Sequence, residues 1–162
     1  MSGKDESKVT GRLKKTRLRP GYIPLTDEML GALRREQERT GVGIHRLMAG
    51  ARDAPRGLTS INVQRWFSGD IKSAHVEQYE YLLRRWQVLP DDVIIPITPE
   101  MCGELDTLLS ASVLSVPALV KSLSGNPNAP DEQAIHGWRS GIRATARSAE
   151  WACLIDRLRR DR

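Results

Sequence analysis

The apolar positions of this chain fall into short blocks at helical spacing, each bounded by capping and turn residues. Met29, Leu30, Leu33 and Gln37 follow one another at offsets that fit one helix face. Thr26 is a good N-cap for that helix. Asp27 and Glu28 sit in its opening turn, where carboxylates favour the dipole, and Gly41 stops it. A second short helix starts near Gly43, with Ile44, Leu47, Met48 and Ala51 on one side. Ala54-Pro55-Arg56-Gly57 reads as a turn. Thr59 then caps a third helix, over about Thr59–Phe67, in which Val63 and Trp66 face inward before Ser68-Gly69 ends it. A fourth, over about Ser73–Trp86, buries Val76, Tyr79, Leu82, Leu83 and Trp86. No segment alternates well enough to be read as a strand. For Asp92–Ile97 a β reading competes with an extended linker, which the bounding prolines and the place between the two copies favour. The expected fold class is all-α.

The same pattern then returns. Shifted by 72 residues without a gap, the chain matches itself at 15 of 68 aligned positions; chance gives roughly four at typical residue frequencies. Ile23-Pro24 falls on Ile95-Pro96, Thr26 on Thr98, Glu28-Met29 on Glu100-Met101, and Trp66-x-Ser68-Gly69 on Trp138-x-Ser140-Gly141. This self-match predicts a duplicated domain: a basic arm over residues 1–22, a first unit over 23–94 and a divergent second unit over 95–162, each of four to five helices. In the second unit Val116-Pro117 opens the short helix, the turn lies in Gly125–Pro130, Asp131 caps the third helix and Ser148–Arg160 forms the last.

Charge adds to this picture because of where it lies. The chain carries a net +5. Residues 1–22 hold seven basic side chains against Asp5 and Glu6, so the arm accounts for the whole excess. Lys14, Lys15, Arg17 and Arg19 are its candidate phosphate contacts. No run of about 18 apolar residues exists to span a membrane, and the N-terminal stretch lacks a signal-peptide core. The expected location is the cytoplasm, of bacterial or phage type and associated with the nucleoid. Cys102 and Cys153 read as reduced, buried thiols. Glu36, Glu38, Asp91 and Asp92 read as solvated, and His45, His75 and His136 as surface or half-buried side chains without catalytic partners. No Gly-rich phosphate loop, nucleophile elbow or metal-ligand spacing occurs. The expectation is a protein that is not an enzyme and takes no cofactor or metal.

The third helix carries the functional expectation. With Val63 and Trp66 inward, Ser60, Ile61, Asn62, Gln64 and Arg65 lie on its outer side. Arg pairs two-pronged with guanine, Asn or Gln with adenine, and Ile meets a thymine methyl. Asp and Glu are absent from this helix, as a phosphate-lined groove requires. Thr59 at its start adds backbone N–H groups suited to a phosphate.

Leu47, the run Leu58-Thr59-Ser60-x-x-Val63-x-x-Trp66, the Ser68-Gly69 stop and Ala74 with Leu82-Leu83 resemble the Cro/lambda-repressor-like (XRE-type) helix-turn-helix domains. The resemblance covers about 26–88 and, more weakly, 98–160. It implies that Ser60, Ile61, Asn62 and Arg65 read bases of double-stranded DNA and that Lys72 meets phosphate. Two departures stand out. The stretch Arg52–Leu58 is longer than the family's tight turn, and the second unit has a different reading surface. There Ser60 becomes Glu132, Ile61 becomes Gln133, Asn62 becomes Ala134, Arg65 becomes Gly137 and Lys72 becomes Ala144. Gln133, His136, Arg139, Arg143 and Arg147 remain to meet DNA. Three readings of the second unit stay open: a reader of a different half-site in a covalent pseudo-dimer, a phosphate contact, or a surface that binds another copy or another regulatory protein.

Overall fold

A computed structural model describes residues 18–161. The order is β1 (Tyr22–Pro24), α1 (Asp27–Thr40), α2 (Ile44–Met48), α3 (Ser60–Ser68), β2 (Ser73–His75) and α4 (Val76–Gln87), followed by β3 (Ile94–Pro96), α5 (Pro99–Ala111), α6 (Val116–Ser122), α7 (Glu132–Ser140), β4 (Thr145–Arg147) and α8 (Ser148–Arg160). The chain is mostly helical. The expectation of an all-α fold is corrected by two antiparallel pairs, β1 with β2 and β3 with β4. Ser73–His75, expected within the fourth helix, is a strand; so is Ile94–Pro96, expected as a linker. Each strand spans three residues, too few for alternation to register in the sequence. Pro24 and Pro96 close their strands, where a missing N–H costs no ladder bond.

The pairing registers are Tyr22↔His75, Ile23↔Ala74 and Pro24↔Ser73 in one ribbon, and Ile94↔Arg147, Ile95↔Ala146 and Pro96↔Thr145 in the other. Each pairing in the second ribbon lies 72 residues beyond one in the first. α3 and α7 are likewise offset by 72 at both ends.

The caps explain the helix ends. Thr26 Oγ1 accepts from Met29 N at 3.1 Å, and Gly41, at φ +63°, donates back to Gln37 O. Thr98 and Asp131 cap α5 and α7 in the same way. Two separate cores form. One gathers Leu33, Val42, Leu47, Val63, Leu82 and Trp86 around Trp66; the other gathers Leu105, Leu119, Ile135, Leu154 and Leu158 around Trp138. The indole of Trp86 donates to Val42 O at 2.9 Å, and that of Trp138 to Thr145 O at 3.0 Å. Among the described residues, no single helix is long and apolar enough to cross a membrane.

The acidic residues expected to be solvated are partly paired. Arg39 reaches both Glu36 and Asp91, at 2.7 and 2.8 Å, and Arg147 holds Asp92 at 2.7 Å. The reason is tertiary: the link between α4 and β3 runs back across the C-terminal end of α1, where Asp92 N donates to Arg39 O.

Candidate nucleic-acid interface

α3 begins at Thr59, whose hydroxyl accepts from Asn62 N at 3.2 Å, and ends at Gly69, at φ +83°. That left-handed position turns the chain sharply toward Asp70 and Lys72. Val63 and Trp66 anchor the inner side in the core. The outer side carries Ile61, which is 64% exposed, with Gln64 and Arg65. Ser60 and Asn62 are half-buried at its first turn, and Lys72 is exposed just beyond its end. The structure thus brings Thr59, Ser60, Ile61, Asn62, Gln64, Arg65 and Lys72 around one helix.

The outer side chains differ in how committed they are. The Asn62 amide donates to Gly57 O at 2.8 Å, which pins the turn leading into the helix. The Gln64 amide meets His45 Nε2 of α2 at 2.9 Å. Among the described residues, the Arg65 guanidinium takes part in no hydrogen bond or ion pair, and neither does the Lys72 amine. His45 therefore belongs to this surface. No spacing in the sequence marks it, because its link to Gln64 crosses 19 residues.

The connection from α2 to α3 is Ala49–Thr59, far longer than the turn of about three or four residues typical of helix-turn-helix units. It is held in place rather than left loose. Tyr81 donates its hydroxyl to Asp53 at 2.7 Å, and the Gln78 amide donates to Arg56 O at 3.0 Å, both from α4. The hydrogen bond from Tyr81 holds the Asp53 carboxyl below its usual range, and burial pushes the Tyr81 phenol up. Arg85 donates to Leu47 O and Ala49 O and fixes the end of α2. Arg34 turns to Phe67, donating to its carbonyl at 3.2 Å and lying 5.4 Å from its ring centroid.

α7 has the same frame and other chemistry. Glu132 stands in its first turn. Gln133, His136 and Arg139 are exposed, and Arg139 is drawn to Asp106 of α5 at 2.7 Å. Gly137 occupies the position of Arg65. The Arg143 side chain folds over it, so that a Cβ there would lie 2.6 Å from Arg143 Cγ. Ile142 is 84% exposed beside this groove. Arg147 points away, to Asp92, Glu150 and Thr40 O. Arg19 is exposed at the start of the described residues, while Lys14, Lys15 and Arg17 lie outside them.

Among the described residues, no cluster of His, Cys, Asp and Glu could hold a metal ion. Cys102 and Cys153 are half-buried and unpaired with each other; burial pushes the Cys153 thiol up. Comparison with protein-family models, with curated proteins and with solved structures finds no match to this chain.

Proposed function

We propose that this chain is a sequence-specific regulator that binds double-stranded DNA, with α3 laid in the major groove. The single observation that carries this reading is the outer face of α3. It presents Ile61, Gln64 and an uncommitted Arg65 with no carboxylate in the helix, and past the Gly69 stop it is followed by exposed Asp70 and Lys72. In this reading Arg65 and Gln64 pair with base edges and Ile61 touches a thymine methyl. Thr59 and Ser60, at the N-terminus of α3, stand beside the phosphates, and Lys72 and the basic arm supply affinity that does not depend on sequence. The long, anchored connection before α3 does the work of the family's tight turn. The common 72-residue offset of both ribbons and of α3 and α7 supports an origin by duplication.

One observation favours a second reading for the second half. Glu132 opens α7, Arg139 is drawn to Asp106, and Ile142 stands in solvent beside the Gly137–Arg143 groove. That surface suits a helical protein-interaction module, docking on another regulator, better than it suits a phosphate-lined groove.

The test is fluorescence anisotropy with duplex DNA over a salt series. The expected result is a steep loss of affinity with salt together with a sequence preference. Arg65→Ala relaxes the preference, and removal of residues 1–21 weakens all sequences alike. Tight binding that survives Arg65→Ala with Gln64→Ala would overturn the assignment of α3. Failure to bind any duplex would overturn the reading itself and leave the protein-docking one.

A further inference from the structure

Two copies of one fold joined in a chain can pack in two ways. About a dyad, each contact between a position in one copy and a position in the other is returned with the two exchanged; head-to-tail, it is not. The contacts here are one-way. The Arg46 guanidinium of α2 donates to Ala129 O at 2.7 Å and to Glu150 of α8 at 3.2 Å. Arg147 donates to Thr40 O at 2.5 Å and to Asp92 at 2.7 Å. Gly50 and Gly125, both at positive φ, meet backbone to backbone, and a Cβ on Gly50 would lie 2.4 Å from Gly125 Cα.

In the 72-residue register, a dyad would return these contacts as Ala118 with Gly57 and Gln78, Ser112 with His75, and Ser122 with Asp53. The residues concerned are engaged elsewhere, within their own half. Gln78 donates to Arg56 O and fills the space beside Gly57. His75 caps α4 through Nδ1 and stands edge-on to Tyr22. Asp53 accepts from Tyr81. The link between the halves is itself tied down: Arg39 binds Glu36, Asp91, Leu89 O and Trp86 O, and Asp92 N donates to Arg39 O.

We infer that the two halves are clamped head-to-tail into one body, and that a single chain therefore occupies a duplex site without dyad symmetry. The inference rests on the DNA-binding reading above. Helix-turn-helix dimers read palindromes because the protein dyad coincides with that of the operator; this body has no dyad to offer. A head-to-tail interface can in principle continue into a filament. Here it stops at two, because the side chains that make it have no counterparts on the free ends. The position of Arg46 is Ala118 in the second half, and those of Glu150 and Arg147 are Gln78 and His75 in the first.

The full chain supplies two independent tests. Backbone amide relaxation of the DNA-free protein reads the clamp: one shared tumbling time for both halves is expected, separating into two in Arg46→Ala with Arg147→Ala while the helical circular dichroism is retained. Separate times in the unaltered chain would overturn the clamp. Selection of bound duplexes from a random library, with the mass of each complex measured by light scattering, reads the site. An element without inverted symmetry, holding one chain per duplex, is expected. An inverted repeat holding two chains would overturn the site inference and leave DNA binding standing. No duplex retained would overturn the DNA-binding reading, and the site inference with it.

Discussion

α3 and α7 have the same length, the same kind of N-terminal cap, the same glycine stop and the same buried tryptophan. What differs is the outer surface. On α3 the position of Arg65 extends into solvent; on α7 it is Gly137, covered by a folded-back Arg143. The lysine after the stop is Ala144 in the second half, and Asp70 is matched by an 84% exposed Ile142. The frame of a helix is thus set by its inner residues and its ends, while its outer residues are free to change function without cost to the fold. Each property can be perturbed separately.

The largest effects test the shared frame. Trp66 and Trp138 are 2% and 1% exposed and sit at the centre of their cores. Trp66→Ala and Trp138→Ala should each cost about 3–5 kcal/mol. Trp138→Ala should cost somewhat more, because it also removes the hydrogen bond from its indole to Thr145 O. Denaturant unfolding of both variants measures this. A difference of several kcal/mol in favour of one would break the equivalence of the two cores.

Much of this frame was legible in the sequence, for physical reasons that differ from element to element. The cap–helix–glycine signals at Thr26, Thr59 and Asp131 are local, so the sequence displays them directly. The ribbons are not local. Ile23 pairs with Ala74 across the whole first unit, and a three-residue strand is held by that distant partner and the core beneath it rather than by its own alternation. The candidate site divides in the same way. The spacing of Val63 and Trp66 within the helix places Ile61, Gln64 and Arg65 outside. The His45–Gln64 link and the contacts of Arg46 with Ala129 and Glu150 depend on which elements come to lie side by side. Nothing in the local sequence sets Arg46 apart from Arg34 or Arg52.

The next effect separates the outer surfaces. Arg65→Ala should cost about 1–3 kcal/mol of binding to the preferred duplex, roughly fivefold to 150-fold, and much less to unrelated DNA. Arg139→Ala, whose guanidinium already faces Asp106, should change both affinities little. Paired anisotropy titrations of the two variants check it. Equal losses would place α3 and α7 on the same footing.

A smaller effect comes from giving α7 the missing cation. Gly137→Arg together with Arg143→Ala restores an arginine at the position of Arg65 and removes the side chain it would strike. The two changes leave the net charge as it was, so if α7 faces the duplex the preferred sequence should shift while the salt slope stays the same. An unchanged sequence preference, with the helical content intact, would assign the α7 surface to protein rather than DNA.

The smallest effect concerns α4 and α8, where Tyr81 and Cys153 stand 72 residues apart in equivalent positions. Burial is the main cause that pushes both groups up, with the Asp53 hydrogen bond adding to it at Tyr81 and the Asp156 and Glu150 charges at Cys153. The ordinary thiol value is 9.0. As the pH rises past it, the unfolded chain releases the Cys153 proton while the folded chain keeps it. The unfolded state then binds fewer protons, so this group's contribution is intact below that pH and is lost as the pH climbs through the folded value. Cys153→Ser replaces the thiol with a hydroxyl that does not ionise in this range, and should flatten the fall in stability above pH 9.0. The Tyr81 contribution is lost in the same direction, above the ordinary phenol value of 10.0, and Tyr81→Phe should remove it together with the anchor on Asp53. Denaturant midpoints measured from neutral to alkaline pH distinguish the two. An alkaline loss that persists unchanged in both variants would mean that neither equivalent position controls it.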